Sequence, residues 1–403
     1  MTAHARPAPV GALSFTGPLK VVAAVAGVGA VAILWRFAAG LGASTALNDG
    51  YPWGLWIAFD VVVGTALACG GYALAILVYV LNKGEYHPLV RPALLAGALG
   101  YSMAGFSVVL DLGRYWSVWK VPLFVWHWNF NSVLLEVAVC IMTYTVVQWI
   151  ELAPAFLERA RDAGWPALRN VAQKSLPVLE RALIWVIALG VLLPTEHQSS
   201  LGTLLMLSGH RMHPLWQTVF LPLLFLTSCI PMGYATVVFE SILSSRLLRH
   251  EPEIDMLGRL GAIVVRLQVL WVALRFADVA ARGELGRVVA LSSYTTMFWL
   301  EIGFALSPVF LFASKARREH AATLFRGAML LMASGALYRF DVFMFAFNPG
   351  GNWSYFPSVG EISVSAGIVA LEILAFVLVI HYFPILSGAA TRPVAAAERQ
   401  ARR

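Results

Sequence analysis

Apolar runs of about twenty residues or more recur along this chain, each closed by a short polar, Gly or Pro-bearing break. Ten such runs fall at 18–40, 53–81, 92–113, 123–150, 182–203, 214–243, 257–280, 291–313, 325–346 and 362–386. A helix rises about 1.5 Å per residue, so about 20 residues cross the ~30 Å hydrocarbon core of a bilayer. The pattern predicts an all-α polytopic membrane protein with about ten transmembrane helices. Tyr51-Pro52, His87-Pro88 and Asn348-Pro349-Gly350-Gly351 mark breaks between runs. The longest polar stretch, 151–181, carries Arg159, Arg161, Arg169, Lys174 and Arg181. It reads as a loop dividing the integral domain, 18–386, into four spans (18–150) and six (182–386). Residues 1–17 and 387–403 read as short tails, the second one basic.

Composition agrees. The chain has 403 residues, 59% hydrophobic and 13% charged, with 14 Trp and a mean hydropathy of +0.73. Globular proteins carry about a quarter charged residues, and a soluble fold could not bury this much apolar surface. The net charge of +7 does not indicate nucleic acid, because no recognition motif is present and the basic residues gather in loops. Cys69, Cys140 and Cys229 lie inside apolar runs with no C-x-x-C spacing, which argues against a disulfide framework, a zinc site or an iron–sulfur cluster. The start of the chain shows no signal-peptide pattern, so the first run reads as a retained anchor.

Loop charge predicts orientation. With the N-terminus cytoplasmic, inner segments hold 19 Lys and Arg and outer loops hold 5 (Arg114, Lys120, Arg211, Arg282 and Arg287). Positive loops face the cytoplasm, so both termini are expected on the cytoplasmic side of a bacterial inner membrane. This orientation gathers Asp60, Asp111, Arg114, His127, Glu196, His197, Arg275, Asp278, Arg339 and Asp341 toward the outer ends of their helices, as one polar layer. Glu136, Glu301 and Glu372 lie deeper. An ionisable group in lipid costs ~2.5–3.5 kcal/mol on insertion scales and is a functional candidate by default.

Asn129, Ser132 and Glu136 are spaced i, i+3, i+7 and would share one helix face, with His127 at the mouth and Glu136 about two turns deeper. Histidine and a buried carboxyl suit proton transfer; the plainer reading makes Glu136 an interhelical hydrogen-bond partner. Glu361, Ser365 and Glu372 also share a face, and they and Glu301 read as structural glue or as proton groups. Glu240, near the inner end of the sixth span, is a candidate for completing an inward route. Asp111 and Tyr115 are i, i+4 with Arg114 between them. Such groups beside Trp53, Trp56, Trp116, Trp126 and Trp128 suit a quinone, whose carbonyls need donors and whose ring needs aromatic neighbours; an interfacial aromatic belt accounts for the Trp residues as well. Haem b is not expected: His127, His197 and His381 are the candidate ligands, and no helix carries two His several turns apart. Electrons would then come from a partner.

The stretches Tyr51-Pro52-Trp53-Gly54-Leu55-Trp56-Ile57-Ala58-Phe59-Asp60, Asp111-Leu112-Gly113-Arg114-Tyr115-Trp116, Phe130-Asn131-Ser132-Val133-Leu134-Leu135-Glu136 and His197-Gln198-Ser199-Ser200-Leu201-Gly202 together resemble the NrfD/PsrC family of quinone-interacting membrane subunits. Ten spans and the last stretch look most like its HybB-type branch, the membrane subunit of respiratory [NiFe] hydrogenases. The resemblance covers nearly the whole chain. It implies two four-helix bundles plus extra helices and a menaquinone or ubiquinone site near the periplasmic surface. It also implies a periplasmic ferredoxin-like four-cluster iron–sulfur subunit fed by hydrogenase large and small subunits. Carried over, it places Asp60, Asp111, Arg114, Tyr115, His127 and His197 around the quinone head group, with Glu136 starting a proton route. The aromatic segment 348–358, with Trp353, Tyr355 and Phe356, is a candidate docking surface. Other complexes of the same family, linked to polysulfide, tetrathionate or sulfite, remain open, as do an ion-coupled transporter and a plain membrane anchor.

Overall fold

The computed structural model describes residues 7–11, 13, 15–162, 164–248, 252–351 and 353–387. Of the predicted tails, residues 1–6, 12, 14 and 388–403 lie outside these, Arg6, Arg392, Arg399, Arg402 and Arg403 among them, and so does Arg249 of the inner loops.

Ten helices long and apolar enough to span a membrane form the described chain. They are α1 (Gly17–Ala39), α2 (Trp56–Val80), α3 (Gly84–Asp111), α4 (Val133–Arg161), α5 (Pro166–Met206), α6 (Leu221–Leu248), α7 (Ile254–Ala281), α8 (Ser293–Phe312), α9 (Ala321–Phe345) and α10 (Val359–Tyr382). Their order and positions follow the ten apolar runs. Helices α2–α5 pack as one bundle and α6–α9 as a second. The bundles meet where α5 and α2 lie along α6, and where the start of α2 lies on α9. Helices α1 and α10 form a separate pair against α2 and α3. Two residue pairs of a short antiparallel ladder, β1 (Pro7–Ala8) with β2 (Leu386–Ser387), tie the two ends of the chain together on one side. That side is called the terminal face below and the opposite one the distal face.

Small residues set the closest contact. A Cβ built on Gly367 of α10 would lie 2.4 Å from the Gly29 Cα of α1, and one built on Gly29 would lie 2.3 Å from the Gly367 Cα. Lipid offers no hydrophobic drive between helices, so close backbone approach supplies packing instead. Gly367→Leu is expected to prise α1 from α10 at a cost of about 1–3 kcal/mol, the usual range for overpacking. A thermal melt of the protein in detergent checks this; an unchanged midpoint would refute the contact. The outward faces stay apolar, with Val28, Ile184, Trp185 and Phe310 all exposed. Patches of that size are a liability in water and a solvent-facing surface in lipid.

Two features depart from the sequence reading. The expected loop 151–181 is mostly helix: α4 continues to Arg161 and α5 begins at Pro166. With 41 residues α5 is about 60 Å long, so the α4–α5 hairpin projects well beyond a 30 Å core. Ala, Leu, Arg and Glu in this stretch are good helix formers, and Pro166 suits a first helical turn. Second, α2 is not regular. It winds as wide π-type turns over Trp56–Val63 and Ile76–Val80 and loosens at Ala68–Cys69. Such turns inside helices often mark functional positions, and Asp60 lies in the first of them.

Candidate functional site

The expected single polar layer resolves into separate clusters at different depths. The shallowest closes the distal end of α3. Arg36, from α1 and 1% exposed, donates Nε to the Leu110 carbonyl and Nη2 to the Leu112 carbonyl, both at 2.7 Å. Those are carbonyls that the end of α3 leaves free. Its guanidinium stands 5.6 Å from the Tyr115 ring, and Tyr115 packs edge-on against Phe37 at 4.7 Å. Asp111 lies within electrostatic reach of Arg36 and Glu361, and its Oδ1 is buried with no hydrogen-bond partner. Arg114 is exposed beside it. The structure brings Asp111 and Tyr115 to the same Arg36, but not by the i, i+4 spacing of a helix: α3 ends at Asp111, Leu112 is extended and Tyr115 starts a separate short turn. The sequence signal for Arg36 was a lone basic residue inside an apolar run.

Glu361 is a structural group. It completes a capping box with Ser358 at the start of α10 and accepts from the Ala46 amide at 2.8 Å and the Tyr355 hydroxyl at 2.5 Å. Tyr355 in turn accepts from the Leu55 amide at 2.7 Å. Burial, and then the hydrogen bond to Glu361, push the Tyr355 hydroxyl above its ordinary range. The 353–358 part of the candidate docking segment is therefore anchored, with Trp353 and Phe356 left exposed; Asn352 lies outside the described residues.

Asp60 sits deeper and is buried. Ser365 donates to its Oδ2 at 2.8 Å, and Ser107 faces it. Ser107 and Asp111 are i, i+4 on α3, so a polar file links the two carboxyls along one helix face. Asp60 also lines a cavity of about 510 Å³ between the α1–α10 pair and helices α2, α3 and α6, together with Glu372, Glu240 and His381. The inward route expected for Glu240 thus has a cavity behind it, with Glu372 as its electrostatic neighbour.

His197 and His127 are not brought to the Asp111 cluster. Because α5 continues to Met206, His197 lies about 13 Å below its distal end. It is fully buried, with Nε2 3.2 Å from Thr65 Oγ1 and its ring edge-on to Tyr101 at 5.5 Å. Gln198 donates to the same Thr65 oxygen at 3.2 Å and accepts from Arg339 Nη2 at 3.0 Å. Arg339 also donates to Ser228 at 3.0 Å. This network joins the two bundles, a role that the sequence did not reveal. His127 is exposed in a short turn before α4, against Phe124 and Trp126 at ring separations of 5.9 and 6.1 Å.

The shared face expected for Asn129, Ser132 and Glu136 does not form, because α4 begins only at Val133. Asn129 accepts from the Asn131 amide at 3.1 Å, and Ser132 caps the helix by accepting from the Leu135 amide at 3.4 Å. These local bonds compete with helix and start it late. Glu136 is therefore a first-turn residue and is exposed, not two turns deep. Its Oε1 lies 2.5 Å from Ser200 Oγ, which is also 2.7 Å from the Glu196 carbonyl. In the second bundle Glu301 accepts from Arg275 at 2.9 Å and from Trp216 at 2.8 Å. Asp278 pairs with Arg282 at 2.7 Å and accepts from Thr218 at 2.5 Å. Among the described residues no group of three His, Cys, Asp or Glu side chains is placed to hold a metal ion.

Similarity to known proteins runs the length of this arrangement. The family model described as "Polysulphide reductase, NrfD" matches residues 43–348. The chain is 40% identical to the probable Ni/Fe-hydrogenase 2 b-type cytochrome subunit of Escherichia coli, over 94% of this chain and 95% of that one. It is 27% identical to the integral membrane subunit of a menaquinone reductase of Nitratidesulfovibrio vulgaris, over 86% of each. It is 25% identical to the C polypeptide of the polysulfide reductase of Wolinella succinogenes, over 68% of this protein and 88% of that one.

Proposed function

The chain belongs to the NrfD family of polysulphide-reductase-type membrane proteins, and from that premise we propose that it is the quinone-reactive membrane subunit of a respiratory [NiFe] hydrogenase. Electrons would pass between an iron–sulfur partner on the distal, periplasmic face and the quinone pool. The observation that carries this reading is the distal cluster of Asp111, Arg36 and Tyr115, beside exposed Arg114. Tyr115 and Arg114 are donors suited to a quinone carbonyl, the nearby aromatic rings suit its head group, and Asp111 keeps one carboxylate oxygen free for proton exchange. The similarity to the hydrogenase subunit, at 40% identity over nearly all of both proteins, favours a hydrogenase over the complexes of the more distant relatives. The exposed Trp353 and Phe356 suit a lasting subunit interface.

The E. coli relative's name includes a b-type cytochrome. The three candidate histidines do not fit a pair of axial ligands. His127 is in an exposed turn, His197 is wedged against Thr65 and Tyr101, and His381, with Nδ1 2.7 Å from the Val377 carbonyl, is near the terminal end of α10. No two of them face each other at one depth, and no step is assigned to haem.

The test is hydrogen-driven reduction of menaquinone by the intact complex in liposomes. Wild type is expected to turn over. Asp111→Asn is expected to slow turnover about tenfold or more, within the reach of a proton-transfer group, while hydrogen-driven reduction of a soluble dye by the partner subunits stays normal. Equal quinone turnover in wild type and Asp111→Asn would remove Asp111 from the site.

A further inference from the structure

We propose that Arg259 and Arg266 of α7, backed by Tyr86 at the start of α3, hold the phosphate of one anionic phospholipid in the leaflet at the terminal face. The site lies on the outer surface of the helix bundle, at the end opposite the distal cluster. It does not depend on the quinone reading.

The first observation is the depth of Arg266. Helix α7 starts at the terminal face with Ile254 and has 28 residues, about 42 Å. It overruns a 30 Å hydrocarbon core by about 6 Å at each end. Arg266 lies about 18 Å along the helix from Ile254, so its Cα is about 12 Å inside the core. It faces lipid there. Arg266 is exposed, and Val269 and Leu270, on the next turn of the same helix face, are 48% and 50% exposed. An arginine turned toward hydrocarbon is costly unless it finds a counter-charge. Among the described residues no carboxylate lies within ion-pair distance of it.

The second observation is where the side chain goes and what it meets. Arg266 Nε donates to the Ala262 carbonyl at 3.3 Å, one turn nearer the terminal face. The chain therefore runs back toward the headgroups, as long basic side chains near a membrane edge do. Arg259 stands on the same face two turns closer to that edge, about 10 Å along the axis. It is half exposed, and its ion pair with Glu85 is long, at 3.8 Å. Buried Tyr86 lies behind both, facing Arg259 and within electrostatic reach of Arg266. With one carboxylate to two guanidinium groups, the cluster keeps a net positive charge. Guanidinium presents paired N–H donors that match two oxygens of a phosphate, and basic clefts between helices at this level suit anionic headgroups. The acyl chains would lie along Val269 and Leu270. A soluble anion gives no reason for an arginine as deep as Arg266, whereas a phospholipid brings both the counter-charge and the hydrocarbon around it.

The experiment combines a thermal melt with native mass spectrometry of the full chain in mild detergent, stripped of lipid and then given phosphatidylglycerol, phosphatidylcholine or inorganic phosphate. Phosphatidylglycerol should raise the wild-type midpoint by about 2–4 °C and stay bound as one molecule per chain. Phosphatidylcholine and inorganic phosphate should do neither. Arg266→Leu should fold, because leucine suits a lipid-facing position, but its affinity for phosphatidylglycerol should fall at least tenfold and the shift should vanish. Arg259→Gln should weaken retention as well, and Arg266→Lys, which keeps the charge, should keep part of the shift. An equal phosphatidylglycerol shift in wild type and Arg266→Leu would overturn the proposal, as would no shift with any of the three additions. The same shift with phosphatidylcholine would also overturn it, making the effect one of hydrocarbon alone. The same shift with inorganic phosphate would make the site one for a free anion and overturn the lipid assignment.

Discussion

Glu136→Gln is expected to lower hydrogen-driven quinone reduction by about a hundredfold or more while leaving assembly intact. General acid–base groups contribute about 10²- to 10⁴-fold, and Glu136 stands at the start of α4 against Ser200 of α5. Ser200 Oγ lies within hydrogen-bond distance of both Glu136 Oε1, at 2.5 Å, and the Glu196 carbonyl, at 2.7 Å. A hydroxyl has one proton to donate. Ser200 can give it to the Glu196 carbonyl or to the Glu136 carboxyl, so the contact between α4 and α5 has two hydrogen-bonded arrangements. Glutamine keeps the size and the bond to Ser200 but cannot release a proton. The expected pattern is normal amounts of complex, normal dye reduction by the partner subunits and lost quinone reduction. Full quinone reduction in the variant would return Glu136 to a structural contact between α4 and α5.

Arg275→Met is expected to cost the protein about 3–5 kcal/mol, the range found when one partner of a buried ion pair is removed. Arg275 is fully buried. Its Nε donates to Glu301 at 2.9 Å and its Nη1 to the Leu215 carbonyl at 2.8 Å. Its guanidinium stands 5.1 Å from the Phe298 ring. Methionine fills similar space but leaves Glu301, also fully buried, charged beside Trp216 alone. The double variant Arg275→Met/Glu301→Gln removes the stranded charge and keeps an acceptor for the Trp216 indole. It is expected to recover most of the loss, since replacing a whole buried pair is often near neutral. Melting temperatures and membrane abundance of the two variants check this. A single variant as stable as wild type would show that Glu301 does not depend on Arg275.

Glu301 and Glu372 show how far one-dimensional reading reaches. Both are single carboxyls inside apolar runs, and both read as glue or proton group. The structure separates them, because Arg275 reaches Glu301 from a helix that packs beside it, whereas Glu372 faces a cavity with Asp60 and Glu240. Asp111 and Tyr115 are near in sequence but meet around Arg36 across a break in the helix, which their four-residue spacing does not reveal. Arg36 was not assigned to that site, since its partners are backbone carbonyls 74 and 76 residues away. The apolar run ends at 203, but α5 continues to Met206, so His197 lies deeper than the run indicates. Glu136 lies shallower than its spacing indicates, because an Asn and a Ser delay the start of α4.

Ten spans, their order, their membrane-crossing length and the family all follow from the sequence alone. The reason is that lipid compels each span to satisfy its own backbone hydrogen bonds and to present apolar side chains, so the signal is local and repeated. The depth and company of each ionisable side chain are not local properties. They depend on where helices start and stop to within a turn, on which helix packs beside which, and on the small residues that let α1 and α10 close. Only the tertiary structure decided that the polar residues form several separate clusters, and that one of them faces a cavity leading to the terminal face.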